Sequence, residues 1–189
     1  GIHTALGMMA AEEMEADWNL VQVKEAPALD AYANGYALRL ATGTSLPSWL
    51  LNGMDYAAYR GVRWFGLMAT GGSLSVRTTG VYGMRVAGAA SREMLVAAAA
   101  RQWGVSPAEC TAAKSRVKHK ASGRSATFGE LARDAAREDV PTNPALKNPN
   151  AYTLSRTSTP RRDIPAKVDG SAVYGIDVVQ PGMLYAAVE

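Results

Sequence analysis

Thr70-Gly71-Gly72-Ser73-Leu74-Ser75, with the alanine-rich run that follows it to Trp103, is the stretch that decides how this chain is read. Paired glycines let backbone N–H groups turn toward a bound anion with no Cβ in the way. A helix starting just after them adds the positive end of its dipole, and two serine hydroxyls add donors. By pattern alone the turn reads more readily as a plain helix cap, and the Gly-Lys-Ser/Thr ending of a P-loop is missing. The helix itself is predicted from near Arg77 to Trp103. Met94 to Ala100 is an unbroken apolar run, which predicts a helix enclosed on most sides. Gly88 and its neighbouring alanines admit a close second backbone, and Gly104 is predicted to stop the helix.

On the N-terminal side, Ile2, Leu6, Met9, Ala10 and Met14 recur at helical spacing, so the chain is predicted to open with a helix. Glu12 and Glu15 fall on its other side. Glu13 falls on the apolar side, where snorkelling or pairing at the helix end is favoured over a buried functional carboxylate. Val21 and Val23 alternate with Gln22 and Lys24 and predict a short strand that Pro27 ends. From Ala28 to Ala69 the chain is punctuated by Gly35, Gly43, Pro47, Gly53 and Gly61 and reads as a long loop. It is rich in rings: Tyr32, Tyr36, Trp49, Tyr56, Tyr59, Trp64 and Phe65. An interface with a partner chain and an ordinary local core account for them equally well.

On the C-terminal side, Ser106-Pro107-Ala108-Glu109 is a capping box with proline at the first helical position. Two or three short strands are predicted between Cys110 and Ala126. Thr127 and Glu130 form a second capping box, starting a helix to about Arg137. Val140 to Pro160 carries four prolines and three asparagines and reads as an extended linker across a surface. Strand pattern returns at Ala172–Val179 and Met183–Val188, with Pro181-Gly182 as the turn. The chain stops inside that pattern at Glu189 and opens on Gly1 rather than Met, so it is expected to be a fragment.

Composition narrows the chemistry. The 189 residues are 48% hydrophobic and 20% charged, with a formal net charge of +3, too small an excess to point to nucleic acid or an anionic membrane by itself. The single cysteine, Cys110, excludes an internal disulfide and a cysteine-held iron–sulfur cluster; it reads as a buried strand residue. His3 reads as structural or surface. His119 lies where basic residues alternate with small ones, as on the solvent face of a strand. No metal-ligand spacing and no Ser/His/Asp set can be assembled. The residues alone therefore support an α+β globular piece with a candidate anion-binding loop. A phosphate-binding domain using the Gly-Gly-Ser turn, and a non-enzymatic binding or assembly domain, are the other readings.

Further residues carry a resemblance. Gly1-Ile2-His3-Thr4 looks like the end of the Met-Gly-Gln-Gly-(Leu/Ile)-His-Thr motif of the xanthine oxidase family. Ala11-Glu12-Glu13, Asp17-Trp18, Val21-Gln22-Val23, Ala26-Pro27, Thr70-Gly71-Gly72-Ser73 and Arg85-Val86-Ala87-Gly88-Ala89-Ala90 resemble its molybdenum-binding large subunits. Arg161-Arg162-Asp163-Ile164-Pro165-Ala166-Lys167-Val168-Asp169-Gly170, followed by Ala172, Tyr174, Asp177 and Pro181-Gly182-Met183-Leu184-Tyr185-Ala186, is similar to the opening of that family's α/β hammerhead domain. A cofactor segment ahead of the hammerhead is the order found in isoquinoline 1-oxidoreductase beta subunits and membrane-associated aldehyde dehydrogenases. The stretch from about Ala41 to Met68 looks like an insertion, and the family's glutamine before Gly1 is absent.

The resemblance implies a molybdenum-cofactor-binding segment over residues 1–155 and the start of a hammerhead domain over 156–189. It implies a molybdenum–molybdopterin cofactor, in the cytosine dinucleotide form, with Gly1, Gly71, Gly72, Ser73, Leu74 and Ser75 as cofactor-binding residues. The family's catalytic glutamate lies downstream of these motifs, so no catalytic residue and no metal ligand is assigned here. The implied activity is oxidation of aldehydes or N-heterocycles with water as the oxygen source. Electrons would pass to iron–sulfur clusters in a small partner subunit. The implied partners are the remainder of the large subunit, that iron–sulfur subunit and a c-type cytochrome subunit, with no nucleic acid. A periplasmic or inner-membrane-associated location follows from the resemblance, with the cytoplasm as the alternative.

Overall fold

A computed structural model describes residues 1–24, 26–27, 29–39, 45–66 and 71–187. Helix α1 (Ile2–Met14) ends on Glu15 in the left-handed conformation, φ 58°. Helix α2 spans Ser48–Trp64. A short turn of helix, α3 (Gly72–Ser75), runs without a break into a π-helical stretch (Val76–Met84) and then α4 (Arg85–Trp103). Gly104 stops this rod at φ 67°, the left-handed cap that glycine adopts without a Cβ penalty.

Three antiparallel strands follow in the order β1 (Cys110–Ala113), β2 (Arg116–His119) and β3 (Ser125–Thr127). Cys110 pairs with His119, and Val117 pairs with both Ala112 and Ala126. Helix α5 (Phe128–Ala135) closes the sheet against α4. The apolar core sits there, built from Leu95, Ala98, Ala99, Ala100, Cys110, Val117, Phe128, Leu131 and Ala135. Both capping boxes form. Ser106 Oγ accepts from Ala108 N–H while Glu109 accepts from Ser106 N–H, and Thr127 and Glu130 exchange the equivalent bonds. Architecture at this level is α+β, with helices packed on one small sheet.

α1 and the long rod run parallel. Gly80 lies against Leu6 and Met9, Gly88 against Ala10, and Glu13 bonds to Arg85. A Cβ on Gly88 would stand 2.4 Å from the Ala10 carbonyl oxygen, so glycine is what lets the two backbones approach here.

Several expectations are corrected. The rod begins at Gly72 rather than near Arg77, so Gly72, Ser73, Leu74 and Ser75 are its first turn and not a loop ahead of it. Ser48–Trp64 is a helix where a loop was expected. Gly53 and Gly61 each cost a helix only about 1 kcal/mol, and Leu51, Met54, Ala58 and Val62 form an inward stripe that outweighs them. Residues 21–24 form no strand; Val23 instead packs on Gly7. Residues 172–187 form no strand either. Among the described residues no neighbouring strand completes their hydrogen bonding, and Ile176 and Leu184 are each 92% exposed. Glu189 and Thr70, where two expectations fall, lie outside the described residues, as does most of the expected insertion's ends. Val140–Pro160 is largely extended as predicted, interrupted by a turn at Pro149–Ala151 and by another closed where Thr157 N–H donates to the Leu154 carbonyl.

Candidate functional site: a glycine turn at the open end of two parallel helices

Because α1 and the rod are parallel, Gly1 and the turn Gly71–Ser75 stand at the same end of the pair. Gly71 is extended, φ −164°, and Gly72 has φ +37°. A Cβ added at Gly1, Gly71 or Gly72 would meet nothing within 4 Å. Protein crowding therefore explains none of the three glycines; at Gly72 the positive φ does.

The turn is held from within. Gly71 N–H donates to Ser75 Oγ at 3.1 Å, and Ser75 N–H donates to the Gly71 carbonyl at 3.1 Å. Ser75 is buried, and Thr78, fully buried one turn on, donates its hydroxyl to the Leu74 carbonyl at 2.9 Å. Ser73 is exposed and Leu74 half-buried. Ser75 thus shapes the turn, while the Ser73 hydroxyl faces outward. A helix leaves its first N–H groups without internal acceptors. The Ser106 and Thr127 helix starts cover theirs with a side chain, whereas among the described residues no side chain caps the start of α3 or of α1. Two positive helix ends are therefore open side by side, with glycines around them. The π-helical stretch begins immediately behind the turn; such wider segments commonly mark functional sites.

Arg162 N–H donates to the buried Thr4 hydroxyl at 3.0 Å, tying the C-terminal segment to the first turn of α1. The Arg162 guanidinium lies 4.6 Å from the Trp18 ring centroid.

At the opposite end of α1 lies a polar network that periodicity did not reveal. Glu12 was placed on the outer side of the helix, yet Glu12 and Glu13 are both buried. Glu13 pairs with Arg85 at 2.7 Å and accepts from Lys147 N–H at 2.8 Å, so pairing, the favoured reading, is what occurs. Glu12 accepts from Lys147 Nζ (2.7 Å) and from the N–H groups of Thr153, Leu154 and Ser155 (3.0, 2.8 and 2.8 Å). Burial pushes the Glu12 carboxyl up, but the Lys147 ammonium and the Ser155 and Thr153 N–H groups outweigh it and hold it down at about 2. A carboxylate so occupied is a structural anchor for the linker, not a proton carrier at neutral pH.

His119, expected on a solvent face, is buried; Arg116 and Lys118 take the outer face of β2. Its Nδ1 lies 2.7 Å from Ser122 Oγ. Cys110 is buried as expected, and burial pushes its thiol up, with Glu109 adding to the effect. His3 is exposed near the start of α1. Among the described residues no group of three or more His, Cys, Asp or Glu side chains could hold a metal ion. No described helix is long and apolar enough to cross a membrane.

The chain is 35% identical, over its whole length, to the isoquinoline 1-oxidoreductase subunit beta of Brevundimonas diminuta, of which it spans 25%. It is 33% identical, over 97% of its length, to the membrane-bound aldehyde dehydrogenase [pyrroloquinoline-quinone] of Gluconacetobacter polyoxogenes, of which it spans 20%. The chain is a relative of both, in keeping with part of a xanthine oxidase-family large subunit. It therefore spans a quarter or less of the length of these curated relatives. No family model matches the chain. The first relative is named as a subunit of an oxidoreductase and the second as a dehydrogenase.

Proposed function

We propose that this chain is the part of a molybdenum hydroxylase large subunit that presents one rim of the cofactor site. Residues 1–155 supply the cofactor-binding segment and 156–189 begin the hammerhead domain. The observation that carries this reading is the pair of parallel, uncapped helix starts with glycines open to solvent at Gly1, Gly71 and Gly72. Anionic phosphates and pterin edges are what such an end attracts. The open space at the three glycines fits a bulky cofactor whose edge approaches the backbone. Gly72, Ser73 and Leu74 would donate N–H groups, Ser73 its hydroxyl, and Ser75 would hold the turn in shape. When bound, a molybdenum–molybdopterin cofactor, in cytosine dinucleotide form, supplies the redox centre for oxidising an aldehyde or N-heterocycle with water. This chain's share is positioning; the substrate pocket and the base belong to the remainder of the large subunit. Electrons would leave to an iron–sulfur partner subunit, with a c-type cytochrome as a further partner.

One relative's name specifies pyrroloquinoline quinone, a tricarboxylate that the same uncapped turn would also attract. That second reading predicts a quinone and no molybdenum.

Gly71 offers the cleaner test of the turn. Its φ of −164° is extended backbone that any residue adopts, and a side chain there meets no protein atom. In the full-length protein, Gly71→Val is expected to leave stability within about 0.5 kcal/mol and to lower molybdopterin occupancy several-fold, measured by metal content and released pterin. Normal occupancy in Gly71→Val would remove the turn from the cofactor site. It would leave a plain helix start, as an assembly domain of the same fold would have.

A further inference from the structure

The outward face of α2 is unlike any other described helix surface of the molecule. Trp49, Tyr56 and Trp64 are 74%, 63% and 84% exposed, and Phe65 follows directly, its ring 5.2 Å from that of Trp64. Fifteen residues separate Trp49 from Trp64, so the rings form a strip about 22 Å long on a helix rising 1.5 Å per residue. Arg60 and Arg63 are exposed along it, with Asn52, Gly53 and Ala57 between. The one acidic residue of the helix, Asp55, is turned inward, where the Arg39 guanidinium donates to both its oxygens at 2.7 to 3.0 Å. Among the described residues no carboxylate pairs with Arg60 or Arg63. An ordinary solvated helix face looks different in this same chain: α5 shows Glu130 and Arg133 outward, opposite in sign, with no ring exposed.

We propose that this face of α2 is a docking surface for an anionic lipid bilayer, with the helix lying along the headgroup layer. Tryptophan and tyrosine present an apolar body and a polar tip, which suits the boundary between headgroups and acyl chains. Guanidinium groups of one sign, with no carboxylate among them, are complementary to lipid phosphates. Trp49, Tyr56 and Trp64 recur at spacings of seven and eight residues, which keeps them on one side of the helix, as lying along an interface requires. α2 holds its inner stripe in the protein, so the outer rings enter the interface without unfolding anything.

The test uses the purified full-length protein with vesicles of phosphatidylcholine alone or containing phosphatidylglycerol. The proposal predicts co-sedimentation with the anionic vesicles, weakened by salt, and quenching of tryptophan fluorescence by bromine-labelled acyl chains. Arg60→Gln with Arg63→Gln should weaken binding on the order of tenfold. Trp49→Ser with Trp64→Ser should abolish both binding and lipid quenching, and both pairs of changes should leave the helical circular dichroism unchanged. Equal binding to both vesicle types, or unaltered binding by the arginine variant, overturns the proposal. So does a lack of vesicle binding. If the two rings are then already shielded from acrylamide, a protein partner covers them instead.

Discussion

Two regions of the described chain handle polar and aromatic groups in opposite ways. Around α1, α4 and the linker, charged groups are buried and fully engaged: Glu12 and Glu13 gather Lys147, Arg85 and the N–H groups of residues 147 and 153–155. Around α2, rings stand in solvent and, among the described residues, no carboxylate pairs with Arg60 or Arg63 beside them. The first region satisfies itself. Stability there comes from internal packing and pairing, whereas the exposed face of α2 contributes little to the fold and is free to serve a surface.

If that contrast holds, the largest loss should come from the alanine-rich core. Leu131 is fully buried between α4 and the sheet, and Leu131→Ala should cost about 3–4 kcal/mol by chemical denaturation. Glu12→Gln comes next, on the order of 3 kcal/mol, because it leaves a buried ammonium and several N–H groups with a poorer acceptor. The pH dependence sharpens this. Glu12 titrates near 2 when folded, against an ordinary 4.5, so its stabilisation is complete above about pH 4.5 and is lost as pH falls toward 2. Glu12→Gln should therefore flatten the acid limb of the stability profile between those values, and an unchanged limb would show that Glu12 is not the anchor. At the other extreme, Trp49→Ser with Trp64→Ser should shift stability by no more than about 0.5 kcal/mol. A loss comparable to that of Leu131→Ala would mean that those rings belong to the core and would erase the contrast.

What the sequence revealed follows the same division. Local signals were legible: the capping boxes at Ser106 and Thr127, the stop at Gly104 and the strands after Cys110 all depend on residues within a few positions of one another. The engagement of Glu12 was not legible, because its partners lie at Lys147 and Thr153–Ser155, more than 130 residues away, and helical periodicity alone placed it outside. α2 was missed because its glycines read as loop punctuation while its inward stripe is short. The strands predicted at 172–188 show the converse error: alternation supplies a pattern, but a strand exists only where a neighbour pairs with it. In the candidate site, Gly71–Ser75 was read as a loop ahead of a helix starting near Arg77, whereas Gly72–Ser75 is already the first turn of the rod, a start that the paired glycines disguised as a break. That Gly1 stands at the same end required the parallel packing that Gly80, Gly88 and Glu13 disclose.

The central claim is that this end of the helix pair takes part in holding a molybdenum cofactor. Elemental analysis of the full-length protein, purified with its partner subunits, tests it most directly when combined with identification of the released organic cofactor. The account predicts molybdenum stoichiometric with the large subunit, together with a pterin dinucleotide. Protein that is active in oxidising aldehyde or N-heterocycle and carries a quinone but no molybdenum would contradict it.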